Sequence, residues 1–355
     1  MNPRVTTLID TYQHERFIAH AIESVLTQDF PASEMEVLVV DDGSTDATGA
    51  IARKFAPRVR YLRKPNGGQA SVFNFGVPEC RGEIVAFLDG DDFWLKDKLR
   101  VVLDAFDKHP DLGVVGHGLY EVDEAGSRCF ANVPDRVYRN SLRTLDDAIA
   151  FRELRSFLGT SRLAIRRSVL EQVLTLPDDM IIEADEFLAA LAVARGGAVV
   201  LDQPLTCYRL HSANLYQFAA RDPDRQARKY RSLACLVREL PARLASAGTP
   251  PDVLAAVMAP VLLEAERLRL SLEGGAPWET FRVERAAHHL AYKDASLGYR
   301  FFHALVLAVG LVLPPRTFYR ARQWYSDRGF VRLRQLIGEP TPADSLVERK
   351  AEVST

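Results

Sequence analysis

The chain has 355 residues, 47% hydrophobic and 26% charged, which suits a globular protein with one large domain and a smaller one. Its 45 basic and 47 acidic side chains leave a net charge of −2, so nothing in the overall electrostatics favours nucleic acid as a partner. Cys80, Cys129, Cys207 and Cys235 lie far apart without a C-x-x-C pair, so neither a zinc site nor a disulfide framework is expected.

The run Val5–Ile9 reads as a first strand, and its position leads us to expect no signal peptide and a cytoplasmic protein with reduced thiols. Ile18, Ala21, Ile22, Val25 and Leu26 then recur on one face of a helix. A second strand, Val37–Val40, ends in Asp41-Asp42-Gly43-Ser44-Thr45-Asp46, where an acid can project from the strand end and Ser44 or Asp46 can cap a helix. A third, Val59–Leu62, precedes Asn66-Gly67-Gly68-Gln69-Ala70-Ser71. There paired glycines allow close backbone approach and the start of a helix containing Asn74 offers free N–H groups to an anion.

Ile84–Leu88 has the length and branching of a buried strand, and Asp89-Gly90-Asp91-Asp92-Phe93-Trp94 follows it directly. Leu99, Val102, Leu103 and Phe106 continue as a helix, and Val114–Val115 and Ala198–Leu201 read as further strands. This alternation predicts an α/β domain over residues 1–220 with a mostly parallel central sheet, where ligands bind beyond the carboxyl ends of the strands. From Asp222 to Gly338 the pattern is helical, giving a carboxyl-terminal region over 221–338, and residues 339–355 read as a disordered tail.

Three carboxylates within four positions repel one another, and burial raises the cost further. A hard divalent cation carrying phosphate oxygens is the usual neutraliser. Asp89, Asp91 and Asp92 therefore point to a metal-assisted site for a phosphorylated ligand, although Asp92 equally suits a cap for the following helix. The chain has neither a G-x-G-x-x-G after its first strand nor a P-loop, which removes the main support for a dinucleotide or P-loop fold.

The order T-Y-Q-H-E-R, D-D-G-S-T-D, N-G-G-Q-A-S-V-F-N-F-G and F-L-D-G-D-D-F-W resembles the family 2 glycosyltransferases of the GT-A fold over roughly residues 3–215. Thr160 to Val169, Glu183 to Glu186, and Tyr208 to His211 with Asn214 extend the likeness. The resemblance implies an inverting transferase moving a sugar from a UDP-, TDP- or GDP-linked donor to a hydroxyl of a glycan, lipid-linked or protein acceptor, as in surface polysaccharide or glycoconjugate synthesis. It also implies a nucleobase pocket at Thr11, Tyr12 and Asp42, further donor contacts at Gly67, Gln69 and Asn74, a ribose contact at Asp89, and Mg²⁺ or Mn²⁺ on Asp91, with Asp89 and His211 as further candidate ligands. Asp185, at a helix start, is the candidate base, with Glu186 as the alternative.

The chain departs from the family pattern in two places. Ala184 stands where relatives carry Glu, which leaves room for a catalytically silent donor-binding module as a rival reading. Phe73 stands where many relatives carry Arg, so a diphosphate contact would have to come from elsewhere, such as Arg81, Arg166 or Arg167. A sugar nucleotidyltransferase is disfavoured because Asp10-Thr11-Tyr12-Gln13 replaces the Gly-rich, Arg-containing loop it needs after the first strand. Histidines other than His211 show no ligand spacing and are expected to be solvated. Near the carboxyl end, the apolar run Ala304–Leu313 is too short to span a bilayer. Bordered by Arg316, Arg320, Arg322, Arg328 and aromatic residues, it suits either peripheral contact with the inner face of the membrane or packing against the catalytic domain or a dimer partner.

Overall fold

The computed structural model describes residues 2–211, 222–291 and 297–327, so the expectations for Asn214, Arg328 and the tail lie outside the described residues. The chain divides into two compact units, Met1–Ala213 with Arg238–Val257, and Asn214–Val237 with Met258–Thr355. This differs from a single cut at residue 220, because the end of one long helix and the start of the next belong with the first unit.

In the first unit, strands β1 (Val5–Thr11), β2 (Met35–Asp41), β3 (Arg60–Arg63) and β4 (Ile84–Asp89) alternate with helices α1 (Ile18–Leu26), α2 (Thr48–Arg53) and α3 (Gln69–Gly76). The four strands pair in parallel in the order β3-β2-β1-β4. Ile84 to Leu88 are all buried, as expected of an apolar run in a sheet covered on both faces. Phe87 packs edge-on against Phe73 of α3, with ring centroids 5.1 Å apart. Burying each such ring contributes on the order of 2 kcal/mol. Phe73 is thus a core residue, which accounts for the absence of a cation at that position.

The chain continues through β5 (Phe93–Trp94), α4 (Lys98–Lys108), β6 (Val114–Val122), β7 (Arg128–Asn132), β8 (Tyr138–Asn140), α5 (Leu145–Leu154), β9 (Ala164–Arg166), α6 (Arg167–Val173), α7 (Ala184–Gly196) and β10 (Ala198–Arg209). The sheet runs β3-β2-β1-β4-β9-β6-β10-β5, with β7 beside β6 and β8 beside β10. Its second half is mixed rather than parallel: β9 lies antiparallel between β4 and β6, and β5 lies antiparallel to β10. The sequence reading contains none of β5, β7, β8 or β9. With two to five residues each, they are too short to show a period.

These short strands position the site. Because β9 runs against β4, the 3-10 turn Thr160–Arg162 that precedes it arrives beside the carboxyl end of β4. Pairing of Thr206 with Trp94 and of Cys207 with Phe93 brings Arg209 and His211 back to the aspartates after β4. Strand β10 is irregular on either side of Pro204, whose missing N–H interrupts the ladder with β6.

Helices α8 (Pro223–Ser246) and α9 (Pro251–Leu272) are shared between the units, and α10 (Pro277–Ala291), α11 (Leu297–Gly310) and α12 (Pro315–Asp327) belong to the second. Leu270, Val283, Phe318 and Tyr319 form its core. Glu284, buried there, accepts two hydrogen bonds from Arg267, both 2.8 Å, one from the Tyr319 hydroxyl at 3.2 Å, and one from Arg322. Phe318 and Tyr319 thus face inward, as the packing alternative for this stretch has it, while Arg322 reaches Glu284 from an exposed position.

Candidate active site

The parallel register sets Asp10 of β1 directly opposite Asp89 of β4. Gly90 then lets the chain turn tightly: a Cβ there would lie 2.6 Å from Thr11 Oγ1 and 2.9 Å from His14 Nδ1. Beyond it, Asp91 Oδ2 lies 3.0 Å from His211 Nε2 and 3.7 Å from His14 Nε2. Asp92 turns the other way, and its Oδ1 accepts the Arg209 backbone N–H at 2.9 Å. It does not cap α4, whose N-cap position is held by Asp97 without a side-chain bond, so the capping alternative for Asp92 is set aside.

Four carboxylates therefore share the end of the sheet. Burial drives the Asp89 pKa well above the ordinary carboxylate range, and the charges of Asp10, Asp92, Asp91 and Asp185 add to the rise. Burial also lifts Asp10 and Asp92 to about 7, aided in both by the charge of Asp91. Burial opposes ionisation of Asp91 too, but His14 and the hydrogen bond and charge of His211 outweigh it and hold that carboxyl low. Asp91 is accordingly the group kept ionised, in a nest of acids that a positive charge would relieve.

The donor set fits a hexacoordinate hard cation. Asp91 and His211 lie together and could supply two ligands, and the buried Asp10 Oδ1 and Asp92 Oδ2 have no hydrogen-bond partner. Among the described residues no group of three or more His, Cys, Asp or Glu side chains is placed to hold a metal ion by itself. Mg²⁺ and Mn²⁺ sites commonly draw one or two ligands from the protein and the rest from phosphate oxygens and water.

The 3-10 turn before β9 joins this cluster to the candidate base. Ser161 Oγ accepts the Asp89 backbone N–H at 3.0 Å, continuing the ladder of β4, and donates to Asp89 Oδ2 at 3.1 Å. The adjacent Thr160 donates its backbone N–H and its hydroxyl to Asp185 Oδ2, both at 3.2 Å. Trp94 Nε1 at 3.0 Å and Thr206 Oγ1 at 2.7 Å hold the Ser161 carbonyl from behind. Gln69 closes the frame, donating to Thr160 Oγ1 at 2.9 Å and accepting the Ala184 N–H at 3.1 Å. Glu186, by contrast, is tied to Arg155 at 2.7 Å. Asp185 acts electrostatically on both Asp10 and Asp89.

The remaining expected donor contacts divide. Thr11 is buried beside His14, whereas Tyr12 is 45% exposed and available to stack. Asp42 accepts from Lys64 Nζ at 2.5 Å, Asn66 Nδ2 at 3.1 Å, and the backbone N–H groups of Gly67 at 3.0 Å and Gly68 at 2.8 Å. It therefore folds the N-G-G turn, and a nucleobase would reach it by replacing one of these donors. Gly68 has φ +81°, and a Cβ there would lie 2.7 Å from the Ile181 Cα, so the turn requires glycine. Asn74 has another task than donor binding: both ends of its amide bond the backbone of Leu176 at 2.8 Å.

The proposed substitutes for an arginine at position 73 are also corrected. Arg81, Arg166 and Arg167 bond Glu36, Glu83 and Gly82 near the amino end of β4, about 17 Å of strand away from Asp89. A cavity of about 500 Å³ lies at that far edge among Glu83, Arg166, Arg167 and Glu171, whose charges are already paired. The basic side chains near the carboxylates are His14, His211 and Arg209, with the charge of Arg162 also acting to lower the Asp92 pKa.

Asp10, His14, Ser161 and Arg209 were not assigned roles from sequence. Asp10 had a signal, an acid closing the first buried strand, while the others depend on pairings distant in sequence. The expectation that the remaining histidines are solvated fails for His117 and His303, which are buried.

The family model described as glycosyl transferase family 2 matches residues 6–174. An uncharacterized glycosyltransferase of Nostoc sp. is 30% identical over 231 residues, spanning 64% of this chain and 70% of that protein. The Staphylococcus aureus poly(ribitol-phosphate) beta-N-acetylglucosaminyltransferase TarS is 31% identical over 174 residues, 43% of this chain but only 30% of TarS. A crystal structure of TarS 1–349 with UDP gives a TM-score of 0.56 at 18% identity, covering 90% of this chain and 91% of that one. The mannosyltransferase PcManGT from Pyrobaculum calidifontis, with GDP-Man and Mn²⁺, gives 0.50 at 22% identity, covering 92% and 85%. At these identities the structural likeness establishes the GT-A fold, and the sequence relatives establish the rest: the chain belongs to the family 2 glycosyltransferases.

Proposed function

We propose that the protein transfers a sugar, with inversion, from a nucleoside-diphosphate donor to an acceptor hydroxyl, using Mg²⁺ or Mn²⁺ held by Asp91 and His211. The observation that carries this reading is the Thr160-Ser161 turn, which bonds a donor-side carboxylate, Asp89, with one residue and the candidate base, Asp185, with the next. The TarS structures with UDP and UDP-GlcNAc and the GDP-Man complex of PcManGT support a nucleotide-sugar as donor. The name of TarS supports a cell-surface polymer as the class of acceptor.

In this reading Tyr12 and Thr11 border the base, Asp89 accepts from the ribose, and the acids of β1 and β4 face the diphosphate. Asp185 takes the proton from the acceptor hydroxyl as its oxygen attacks the anomeric carbon, while the bond from that carbon to the diphosphate oxygen breaks on the opposite face. A bound divalent cation supplies charge stabilisation for the departing diphosphate, so no side chain need protonate it. Thr160 is a positioning residue, keeping Asp185 turned toward the sugar. Ala184 is buried and its backbone N–H is bound by Gln69, so no carboxylate stands at the position of the family's Glu.

The test is Asp91→Ala and Asp185→Asn in an assay of nucleoside-diphosphate release. Both should lose at least about a hundredfold in turnover. Only Asp91→Ala should lose the Mn²⁺-dependent thermal shift produced by nucleoside diphosphate. Undiminished turnover in Asp185→Asn removes the base assignment.

A further inference from the structure

The second unit carries a surface that sugar transfer does not use. On α11, Leu305 and Val309 lie one turn apart and both are exposed. The turn after α11 adds Leu311, 48% exposed, and Val312, 77% exposed. Gly310 seats this end of α11 against Thr280 and Phe281 of α10, so the exposed Trp278 stands at the same end of the unit. Single exposed apolar residues are ordinary, but a helix stripe that runs into a projecting turn beside a tryptophan is not.

Charge indicates what covers it. The first two turns of α12 place Arg316 and Arg320 outward, directly after the apolar turn, while Phe318 and Tyr319 between them point into the core. Beside Trp278, the Arg282 guanidinium lies 5.1 Å from the indole centroid, and Arg285 is exposed one turn further on. Of the described acids at this end, Glu279 is bound by Arg269 and by the Ala276 N–H, and Glu266 by Arg269 with Arg282 3.9 Å from it, which leaves exposed Glu273 against Arg285, Arg316 and Arg320. Apolar side chains at a tip, an indole at its edge and guanidinium groups behind it match the layers of a lipid interface with anionic headgroups. A second copy of this chain would have to bring the same arginines against themselves.

We propose that this end of the second unit docks on an anionic membrane surface, with Leu305, Val309, Leu311 and Val312 entering the headgroup–acyl boundary. No helix among the described residues is long and apolar enough to cross a membrane, so the contact is interfacial. The proposal is independent of the catalytic reading, since it uses no residue of the carboxylate site.

The test is co-sedimentation of the full chain with vesicles of phosphatidylcholine alone and of phosphatidylcholine with phosphatidylglycerol, with size-exclusion chromatography over a range of concentrations. Wild type should bind the anionic vesicles and not the neutral ones, and salt should weaken that binding. Val312→Asp, at a position too exposed to affect folding, should weaken binding at least tenfold. Arg285→Ala and Arg320→Ala should each weaken it about fivefold, as about 1 kcal/mol for each cation near the surface implies. Nucleoside-diphosphate release from a soluble assay should be unchanged in all three, which separates failure of this proposal from failure of the transferase reading. Indifference to both kinds of vesicle, equal binding to both, or a concentration-dependent dimer abolished by Val312→Asp would each overturn it.

Discussion

If one turn sets both the donor acid and the base, its two residues should fail in different kinetic terms. Ser161→Ala removes a hydroxyl that both accepts the Asp89 N–H and donates to its carboxylate. A hydrogen bond to a charged group is worth about 1.5–3 kcal/mol, and the stranded N–H costs about 1–3 kcal/mol more in folding stability. Asp89 is already pushed toward its neutral form by burial and four acidic neighbours, so losing a donor weakens its hold on the ribose. The Michaelis constant for the nucleotide-sugar should rise about tenfold to a hundredfold, with turnover at saturation changed less than about threefold.

Thr160→Val keeps the side-chain volume and the backbone N–H bond to Asp185 but removes the hydroxyl bond. Turnover should fall about tenfold with little change in the donor's Michaelis constant, because the base acts mainly in the transition state. Thr160→Ser should recover most of the loss. Steady-state release of nucleoside diphosphate, with donor varied in saturating Mn²⁺, separates these outcomes. Equal effects of the two substitutions on the same constant, or an unchanged donor constant in Ser161→Ala, would refute the division of labour.

The carboxylate cluster also predicts a pH dependence. Asp10 and Asp92 titrate near 7 in the folded, metal-free chain against 3.8 in an unfolded one, so the folded state holds more protons between those values. The stability these two carboxyls contribute to the metal-free protein should therefore be highest at the acidic end, fall by on the order of a few kcal/mol as pH rises through that window, and level off above it, while His117 and His303, whose pKa burial lowers, contribute with the opposite sign. Mn²⁺ should raise the thermal midpoint more above pH 7 than near pH 5, and a Mn²⁺ shift that does not change with pH contradicts the assignment. Gly68→Ala, which meets the Ile181 backbone at positive φ, should destabilise the protein by at least about 2 kcal/mol in urea unfolding and weaken nucleotide binding with it. A wild-type denaturation midpoint would show that the turn can be rebuilt without glycine.

What could be read from the sequence follows from how far apart the partners lie. Strands β1, β2 and β4 announce themselves because each is a β-branched or apolar run in a parallel sheet, and the acids that close β2 and β4 could be assigned to the ligand edge for the same reason. Asp10 belongs to that group. Parallel register alone puts the last acid of β1 beside the last acid of β4, and the roles of both could be inferred by counting along the two strands. The second half of the site has no such periodicity. His211 reaches Asp91 across 120 residues, and Ser161 reaches Asp89 across 72, through strands of two or three residues whose composition says nothing about pairing. Asn74 and Asp42 show the converse: polar residues in a recognisable motif whose hydrogen bonds go partly or wholly to backbone. A motif identifies which segments meet at a site, but whether a side chain faces the ligand or braces the loop is decided by the unpaired backbone groups around it. That is why the two residues that tie the halves together, Thr160 and Ser161, lie in a segment that sequence comparison aligns but chemistry alone would pass over.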